Sequence, residues 1–435
     1  MKKDQQIHST GGKIIQNSNG TLIVPDHPII PFIIGDGIGN DIWKATKPVL
    51  ETAVEIAYKN QRKIHWLELQ LKPGGTNTQI PADTIRAFKE YSVGLKGPLA
   101  TPVGQGFRSL NVTLRRELDL YVCMRPIKYI LGSPSPVCHP KQVDMVIFRE
   151  NTEDIYAGIE FEADSSENKA FLSWLKSNYP EQFKKIRFPK SSGVGIKPIS
   201  REGSQRLVRA AINYALDNHR KRLTLVHKGN IMKFTEGAFA KWGYELAESE
   251  FGPKVFTQQH YEKLKMSSGE EFADECQSKA LQKGKLFVND VITDATFEQT
   301  LIKPEAFDVI ATSNLNGDYL SDALAAQVGG LGISPGVNLN PEKNIAIFEA
   351  THGTAPAIAG KNIANPCSLI LSGAMLLDHI GWHEAADLVR HGILTAIEEK
   401  NVTLDFYRLL SNATLVSTTG FGQAVIWVIQ NDNKE

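Results

Sequence analysis

Residues 29–57 read IIPFIIGDGIGNDIWKATKPVLETAVEIA, and this stretch decides the fold class. The six apolar residues at 29–34 are typical of a buried strand, and the glycine-rich residues that follow indicate a turn. The remaining residues place apolar side chains at the spacing of an amphipathic helix. A strand, a glycine turn and a helix in succession predict the opening unit of an α/β fold.

The three glycines of the turn suggest a dinucleotide site, but their spacing does not fit one. Gly35, Gly37 and Gly39 form G-x-G-x-G, whereas the dinucleotide fingerprint is G-x-G-x-x-G. The pattern therefore favours a plain turn before a helix.

The alternation of strand and helix patterns continues along the chain. Apolar strand patterns recur at 91–97, 118–124, 143–149, 222–229, 307–313 and 344–350, with helical patterns at 204–221, 317–330 and 368–400. Two irregular excursions interrupt them, at 161–200 and 263–285. Because 435 residues exceed what one core usually serves, we expect two domains. The sequence has no flexible linker, which favours domains joined by crossing strands.

Composition excludes some classes of partner. Lys plus Arg and Asp plus Glu number 48 each, so the formal net charge is zero. Nucleic acids and membrane surfaces select a basic excess, and we therefore expect neither as a partner. The four cysteines are scattered and the start lacks an apolar signal region. These features predict a soluble, cytoplasmic protein whose positive patches are local.

An arginine cluster lies on the approach to a core strand. Arg115 and Arg125 belong to RSLNVTLRRELDLYVCMRP at 108–126, and Arg149 ends another apolar strand pattern. Guanidinium groups at the carboxyl ends of strands match ligand carboxylates. Any single arginine could instead pair with a nearby acid, for which the candidates are Glu117, Asp119 and Glu150. The three arginines together favour a polycarboxylate site.

Two aspartates indicate a metal site. Asp318 and Asp322 are four residues apart on a predicted helix, so they share one face. Hard oxygen ligands at this spacing suit Mg²⁺ or Mn²⁺, with Asp294 as a possible third ligand. A solvated acidic face is the alternative, and the pair alone is also compatible with phosphoryl transfer.

Three further residues could carry chemistry. Lys228 follows a strand and could act as a base if cations lower its pKa, although an exposed structural lysine is the commoner case. Tyr156 could donate a proton or simply pack. His352 lies in a turn-rich loop and could stack on an adenine or satisfy the loop.

Six motifs in order resemble those of the metal-dependent β-decarboxylating dehydrogenases, the isocitrate/isopropylmalate dehydrogenase family. They are GDGIG, TPVGQGFRSLNVTLRRELDLYVCMRP, FRENTEDIYAG, LVHKGNIMKFTEG, NLNGDYLSDALAAQVGG and EATHGTAP. The resemblance is closest to the homodimeric bacterial members that act on isocitrate. It implies the family's fold, with a large α/β domain (1–120 and 331–435), a small α/β domain (121–153 and 200–330) and a clasp-like dimerisation segment (154–199).

The resemblance also implies a reaction and roles for individual residues. The reaction is the oxidative decarboxylation of isocitrate to 2-oxoglutarate and CO₂, a step of the tricarboxylic acid cycle, in a homodimer with shared active sites. Lys228 and Tyr156 would transfer protons, and Asp294, Asp318 and Asp322 would bind Mg²⁺ or Mn²⁺. The substrate carboxylates would be held by Ser109, Asn111, Arg115, Arg125 and Arg149.

The family's cofactor site corresponds to a set of residues late in the chain, together with Thr101. The late set is His352, Gly353, Thr354, Ala355, Ala357, Ile358, Asn365, Asp405 and Arg408. NADP-linked relatives carry Lys, Tyr and Tyr where this chain has Ala357, Ile358 and Leu404. Since those groups would grip the 2′-phosphate, the sequence predicts NAD rather than NADP, although Arg408 and Lys303 remain basic.

Two other functions stay open within the resemblance. Residues 358–368, IAGKNIANPCS, look more like the isopropylmalate and homoisocitrate branch, whereas the polar Ser109 and Asn111 favour isocitrate because an isopropyl group would require apolar residues. A non-catalytic regulatory subunit would be expected to lack the metal carboxylates or the catalytic Lys and Tyr, and all are present.

Overall fold

The computed structural model describes residues 11–17, 20–71, 80–100 and 109–431. The strands are β1 (Ile15–Gln16), β2 (Leu22–Ile23), β3 (Ile29–Ile33), β4 (His65–Glu68), β5 (Val93–Lys96), β6 (Val122–Lys128), β7 (Asp144–Glu150), β8 (Ile159–Phe161), β9 (Val194–Ile196), β10 (Arg222–His227), β11 (Val255–Thr257), β12 (Leu286–Ile292), β13 (Val309–Thr312), β14 (Pro335–Asn340), β15 (Ile345–Ala350), β16 (Asn401–Val402) and β17 (Thr414–Leu415).

The helices alternate with these strands, as an α/β fold requires. They are α1 (Gly39–Ala57), α2 (Ala82–Tyr91), α3 (Leu110–Glu117), α4 (Ser166–Asn178), α5 (Pro180–Phe183), α6 (Arg201–Asp217), α7 (Glu236–Phe251), α8 (Gln258–Ser268), α9 (Glu270–Gln282), α10 (Thr293–Ile302), α11 (Asn314–Val328), α12 (Cys367–His379), α13 (His383–Glu398), α14 (Leu404–Tyr407) and α15 (Thr418–Asn431). No helix in the described ranges combines the length and the apolarity that crossing a membrane requires.

One sheet of eleven strands runs through the molecule in the order β11-β12-β10-β13-β7-β6-β14-β15-β5-β3-β4. The strands from β11 to β7 are mutually parallel, and so are those from β15 to β4. Between the two halves, β6 and β14 pair antiparallel to each other and to their outer neighbours. The two halves therefore point in opposite directions and are joined through this central pair, which confirms the α/β class.

Helices cover both faces of each half of the sheet. In the half with β3, one face packs on α1, α12, α13 and α15, and the other packs on α2 and α3. In the half with β10, one face packs on α6 and α7 and the other on α11. Every residue of β3 is buried, as the apolar run 29–34 predicts for a strand covered on both sides.

One strand begins later than its sequence pattern predicts. The alternation at 118–124 predicts a strand there, but β6 begins at Val122. Leu118 caps α3, and Asp119 adopts a left-handed φ of 52°. The Asp119 carboxylate accepts hydrogen bonds from Arg206 at 2.9 Å and from Asn340 at 3.2 Å, which hold the turn that delays the strand.

The two segments that the sequence predicts to be irregular, 161–200 and 263–285, contain regular secondary structure. The first contains the antiparallel pair β8 and β9 with α4 and α5 between them. The second is largely helical, because α8 and α9 span most of it.

Candidate active site

Neighbouring strands bring charged side chains together at the centre of the sheet. Lys96 on β5 pairs in register with Glu349 on β15, which pairs with Gly336 on β14. A Cβ on Gly336 would stand 3.7 Å from Cγ of Arg125 on β6. Since register partners project from the same face of a sheet, an acid and two cations share one face here.

Glu349 is the anionic centre of this row. Its carboxylate accepts from Lys96 Nζ at 2.6 Å and from Arg115 at 3.0 Å, and all three side chains are at least 90% buried. Burial alone would raise the pKa of Glu349, but Lys96 and Arg115 hold it well below its usual range. Glu349 therefore stays ionised and fixes the directions of both cations.

Arg125 and Arg149 point toward α11. Arg125 donates to Ser321 Oγ at 2.6 Å and to Asp322 Oδ1 at 3.2 Å. Arg149 is 1% exposed and donates to Asn314 Oδ1 at 2.9 Å and to Asp318 Oδ1. The Arg149 pKa is lowered by burial and by the cations Arg115 and Arg125, which shows that the three guanidinium groups share one electropositive region.

Two of the three acids considered as alternative partners of the arginines make other contacts. Asp119 binds Arg206, and the Glu150 carboxylate accepts from the backbone and hydroxyl of Thr152 at 2.5–3.0 Å. Within the described residues, the Nε atoms of Arg115 and Arg125 are buried and have no hydrogen-bond partner. Two buried donors without acceptors indicate room for an oxyanion ligand.

A cleft of about 480 Å³ opens over these groups. Its described lining includes all five residues that the sequence predicts to bind the substrate, together with the predicted catalytic tyrosine, one predicted metal aspartate and part of the predicted cofactor loop. They are Ser109, Asn111, Arg115, Arg125, Arg149, Tyr156, Asp318, His352, Gly353 and Thr354. Lys96 and Glu349 also line the cleft. The volume is in the range of small-molecule sites.

Asp318 and Asp322 lie on α11 as the sequence predicts, one turn apart. Burial would raise the pKa of Asp318, but Arg149, Tyr156 and the other arginines lower it overall. The Asp322 pKa is raised by burial, against an opposing effect of Arg125, and Asp318 raises it further. A pair in which the charge of Asp318 disfavours ionisation of Asp322 makes a site that a dication would stabilise.

Tyr156 is placed by the turn Asp154–Ala157. Its hydroxyl donates to Asp318 Oδ2 at 2.5 Å, and the Arg149 guanidinium lies 5.0 Å from the ring centroid. Burial and the hydrogen bond to Asp318 raise the pKa of Tyr156 to about 12. The phenol is therefore protonated at neutral pH and can act as an acid.

Lys228 and Asp294 do not join this cluster. They pair with each other at 2.5 Å, with side chains 30% and 71% exposed, and neither lines the cleft. Among the described residues of one chain, no three His, Cys, Asp or Glu side chains converge on a metal position. The chain by itself thus assembles two of the three predicted metal carboxylates.

The glycine turn supports the loop that carries His352. A Cβ on Gly37 would stand 2.0 Å from the backbone oxygen of Thr354, and Ile38 N donates to that oxygen at 3.0 Å. His352 Nδ1 lies 2.9 Å from Gly353 O, so that nitrogen carries the hydrogen and Nε2 is an acceptor. Nε2 is buried and has no partner in the described structure. An orphaned acceptor beside the cleft fits a bound cofactor group.

The remaining predicted cofactor residues continue from this loop. Asn365 donates to Asp405 Oδ2 at 3.0 Å, while Ala355 takes a φ of 40°. Ala357 and Ile358 form the next turn, and Arg408 is exposed after α14. Thr101 lies outside the described residues.

Sequence reasoning missed Lys96 and Glu349. A signal was available, because each is a charged residue in an apolar strand pattern, and such residues are seldom buried unless paired. Asn314, which positions Arg149, carried no comparable signal.

Comparison with known proteins adds independent findings. The sequence profile described as isocitrate/isopropylmalate dehydrogenase matches residues 29–425. The chain is 56% identical over 417 residues to the isocitrate dehydrogenase [NADP] of Staphylococcus epidermidis, covering 95% of this chain and 98% of that protein. It is 53% identical over 427 residues to the enzyme of that name from Pseudomonas aeruginosa, covering 97% and 98%. The crystal structure of isocitrate dehydrogenase from Methylococcus capsulatus superposes with a TM-score of 0.72 at 32% identity, covering 93% of this chain and 99% of that one.

Proposed function

Because this chain belongs to the isocitrate/isopropylmalate dehydrogenase family, we propose that it catalyses the oxidative decarboxylation of isocitrate to 2-oxoglutarate and CO₂ with NADP. The observation that carries the proposal is the convergence of Arg115, Arg125 and Arg149 with Asp318 on one cleft. Three guanidinium groups that converge on one cleft suit the carboxylates of a tricarboxylate. No comparable observation supports a phosphotransferase.

The substrate is bound by its carboxylates. Arg115, Arg125 and Arg149 hold them through paired N–H donors, and the buried Nε atoms of Arg115 and Arg125 supply two of these donors. Ser109 and Asn111 border the same cleft and contribute polar contacts. Their polarity supports isocitrate over isopropylmalate.

The carboxylates on α11 fit a divalent metal ion. Asp318 and Asp322, with Asp294 of the partner subunit, would hold Mg²⁺ or Mn²⁺, since all three offer hard oxygen ligands. When bound, such a cation supplies Lewis-acid stabilisation of negative charge on the substrate oxygens.

Two side chains move protons. Lys228 of the partner subunit takes the proton of the substrate hydroxyl as the hydride leaves carbon. Tyr156 gives its phenolic proton to the carbon that has lost CO₂, and its raised pKa keeps that proton available.

The expectation of NAD was wrong. Relatives that are 53–56% identical over nearly the whole chain are named isocitrate dehydrogenase [NADP]. The sequence argument counted the groups lost at Ala357, Ile358 and Leu404, although basic residues remain near them in the chain. Arg408 is exposed next to Asp405, and Lys361 N donates to Ile358 O at 3.2 Å. When bound, NADP supplies the hydride acceptor.

The active unit is a homodimer with shared sites. The position of Lys228 and Asp294 outside the cleft supports this, because a partner subunit can bring both to it. Large apolar side chains near Lys228 are exposed, with Ile231 at 69% and Phe234 at 92%. We assign residues 154–199 to a dimerisation clasp between the small domain (121–153, 200–330) and its counterpart, and residues 1–120 with 331–435 to the large domain.

A substrate comparison tests the assignment. With Mg²⁺ and NADP, we expect kcat/KM for isocitrate to exceed that for isopropylmalate by at least about 10⁴-fold, because a site built for polar contacts is left unpaired by an apolar analogue. The absorbance of NADPH at saturating metal measures both rates. A preference for isopropylmalate, or a purified homomer inactive on both, would contradict the assignment.

Mixed dimers test whether the sites are shared. Tyr156→Phe and Lys228→Met should each be nearly inactive as pure dimers. After equal mixing and subunit exchange, half the dimers are hybrids, and each hybrid has one site with both native residues. We therefore expect about a quarter of the wild-type kcat to return, because the twofold symmetry gives each site one residue from either subunit.

The matching control mixes two variants that damage the same residue. Tyr156→Phe mixed with Tyr156→Ala leaves no intact site and should stay inactive. Failure of the first mixture to regain activity, while native mass spectrometry shows hybrids, would mean that each subunit builds its own site.

A further inference from the structure

We propose that Lys197 is a positioning residue that sets the geometry of Tyr156 and Lys228 together by holding the two buried carboxylates of Asp154 and Glu236. The proposal rests on the function proposed above, in which these two residues transfer protons. Lys197 follows β9 at the end of the clasp segment, and its ion pairs in the described structure are with Asp154 and Glu236.

The ammonium of Lys197 bridges two acids. Its Nζ contacts Asp154 Oδ1 and lies 2.9 Å from Glu236 Oε1. The side chains of Asp154 and Glu236 are 1% and 0% exposed, and that of Lys197 is 17% exposed. Buried carboxylates need a paired cation, and within the described structure Lys197 is the cation that pairs with both.

Asp154 fixes the turn that carries Tyr156. It has a left-handed φ of 71°, and its carboxylate accepts from Ile155 N at 2.7 Å and from Leu315 N at 2.9 Å. Leu315 belongs to the first turn of α11, the helix with both metal aspartates. Asp154 N donates to Pro198 O at 2.9 Å, so the residue after Lys197 is tied to the same turn.

Glu236 fixes the segment that carries Lys228. Its carboxylate accepts from Lys228 N at 2.9 Å, from Ser313 Oγ at 2.8 Å and from Asn316 Nδ2 at 2.7 Å. Through these two carboxylates, the Lys197 ammonium thus links three elements: the Tyr156 turn, the start of α11 and the end of β10.

Charge balance explains what the ammonium does. Without it, two buried carboxylates would face each other, and their repulsion would displace the turn, the segment or both. In a dimer with shared sites, Tyr156 serves its own subunit's site and Lys228 serves the partner's. One Lys197 would therefore position residues in both active sites.

Removal of the charge is the direct test. In Lys197→Met we expect kcat for isocitrate to fall about 10–100-fold with KM changed less than about threefold, because displaced catalytic groups slow chemistry more than binding. Lys197→Arg keeps the charge and should stay within about fivefold of wild type. Lys184→Met, which removes an exposed clasp lysine paired with Glu181, should match wild type.

A partial reaction separates positioning from folding. In D₂O with Mg²⁺ and NADP, Tyr156 should exchange the C3 proton of 2-oxoglutarate, followed by proton NMR. In folded Lys197→Met dimers we expect this exchange to slow by about the same factor as kcat. If methionine prevents folding, Lys197→Gln serves in its place. Turnover and exchange within threefold of wild type in either folded variant would overturn the proposal, whereas no turnover by wild type would overturn the proposed function instead.

Two hybrid dimers test the reach into both sites. Tyr156→Phe/Lys197→Met mixed with Lys228→Met leaves a site whose lysine comes from the altered subunit. Tyr156→Phe mixed with Lys228→Met/Lys197→Met leaves a site whose tyrosine comes from the subunit that lacks Lys197. We expect the activity regained by each mixture to be lower, by at least about threefold, than the activity of the hybrid that keeps Lys197. A deficit in only one mixture would overturn the coupling.

Discussion

Asp318→Asn is expected to reduce kcat/KM for isocitrate by at least about 1000-fold, or ~4 kcal/mol of transition-state stabilisation. The change removes a proposed metal carboxylate and the acceptor of the Tyr156 hydroxyl and the Arg149 guanidinium. Affinity for Mg²⁺ should fall with it. Initial rates over a titration of Mg²⁺ measure both effects.

Asp378→Asn is the matched control for this prediction. Asp378 and Asp318 have side chains of equal exposure, 34%, and each pairs with an arginine. Asp378 lies on α12 and does not line the cleft. The control should keep kcat/KM within about twofold. A ratio of less than tenfold between the two variants would contradict the metal assignment of Asp318.

Glu349→Gln is expected to lower the free energy of unfolding at pH 7 by about 3–5 kcal/mol, because it leaves Lys96 and Arg115 buried without their anion. Urea unfolding at one fixed protein concentration measures the loss. The double variant Lys96→Met/Glu349→Gln removes one cation as well and should recover at least about half of it. A loss below about 1 kcal/mol in the single variant would contradict the role of Glu349.

The same variant should change the pH dependence of stability. The folded pKa of Glu349 lies below its ordinary value of 4.5, so the unfolded chain binds its proton first as pH falls. The stabilisation is therefore complete above about pH 5 and declines at lower pH. The difference between wild type and Glu349→Gln should shrink accordingly between pH 7 and pH 4.

The sequence predicts the fold where local pattern and burial agree. Residues 29–33 of the run at 29–34 form β3 and are all buried, and the helices at 204–221 and 317–330 are α6 and α11 with small shifts of their ends. The sequence does not predict β14, because its residues PGVNLN include Pro, Gly and two Asn, which are depleted in strands. This strand is stabilised by its two antiparallel neighbours, a tertiary effect absent from the local sequence.

The geometry of the candidate site was likewise predictable from local sequence only in part. The spacing of Asp318 and Asp322 predicts a shared helix face, and the two lie one turn apart on α11. The arginines come from α3, β6 and β7, and only the sheet order brings them together. The specificity for the cofactor was mispredicted because it was inferred from three missing side chains alone, whereas the relatives of 53–56% identity are named for NADP. Roles that depend on a second subunit stay predictions.

The central pair of strands has a consequence for biosynthesis. Since β14 and β15 complete the sheet begun by β3 and β5, and α15 packs on α1, the half of the sheet with β3 is completed only after α15 has been synthesised. A nascent chain of 330 residues still exposes the apolar face of α1 that α15 covers later. A chain that terminates before α15 would leave this face uncovered and would be a substrate for chaperones and proteases.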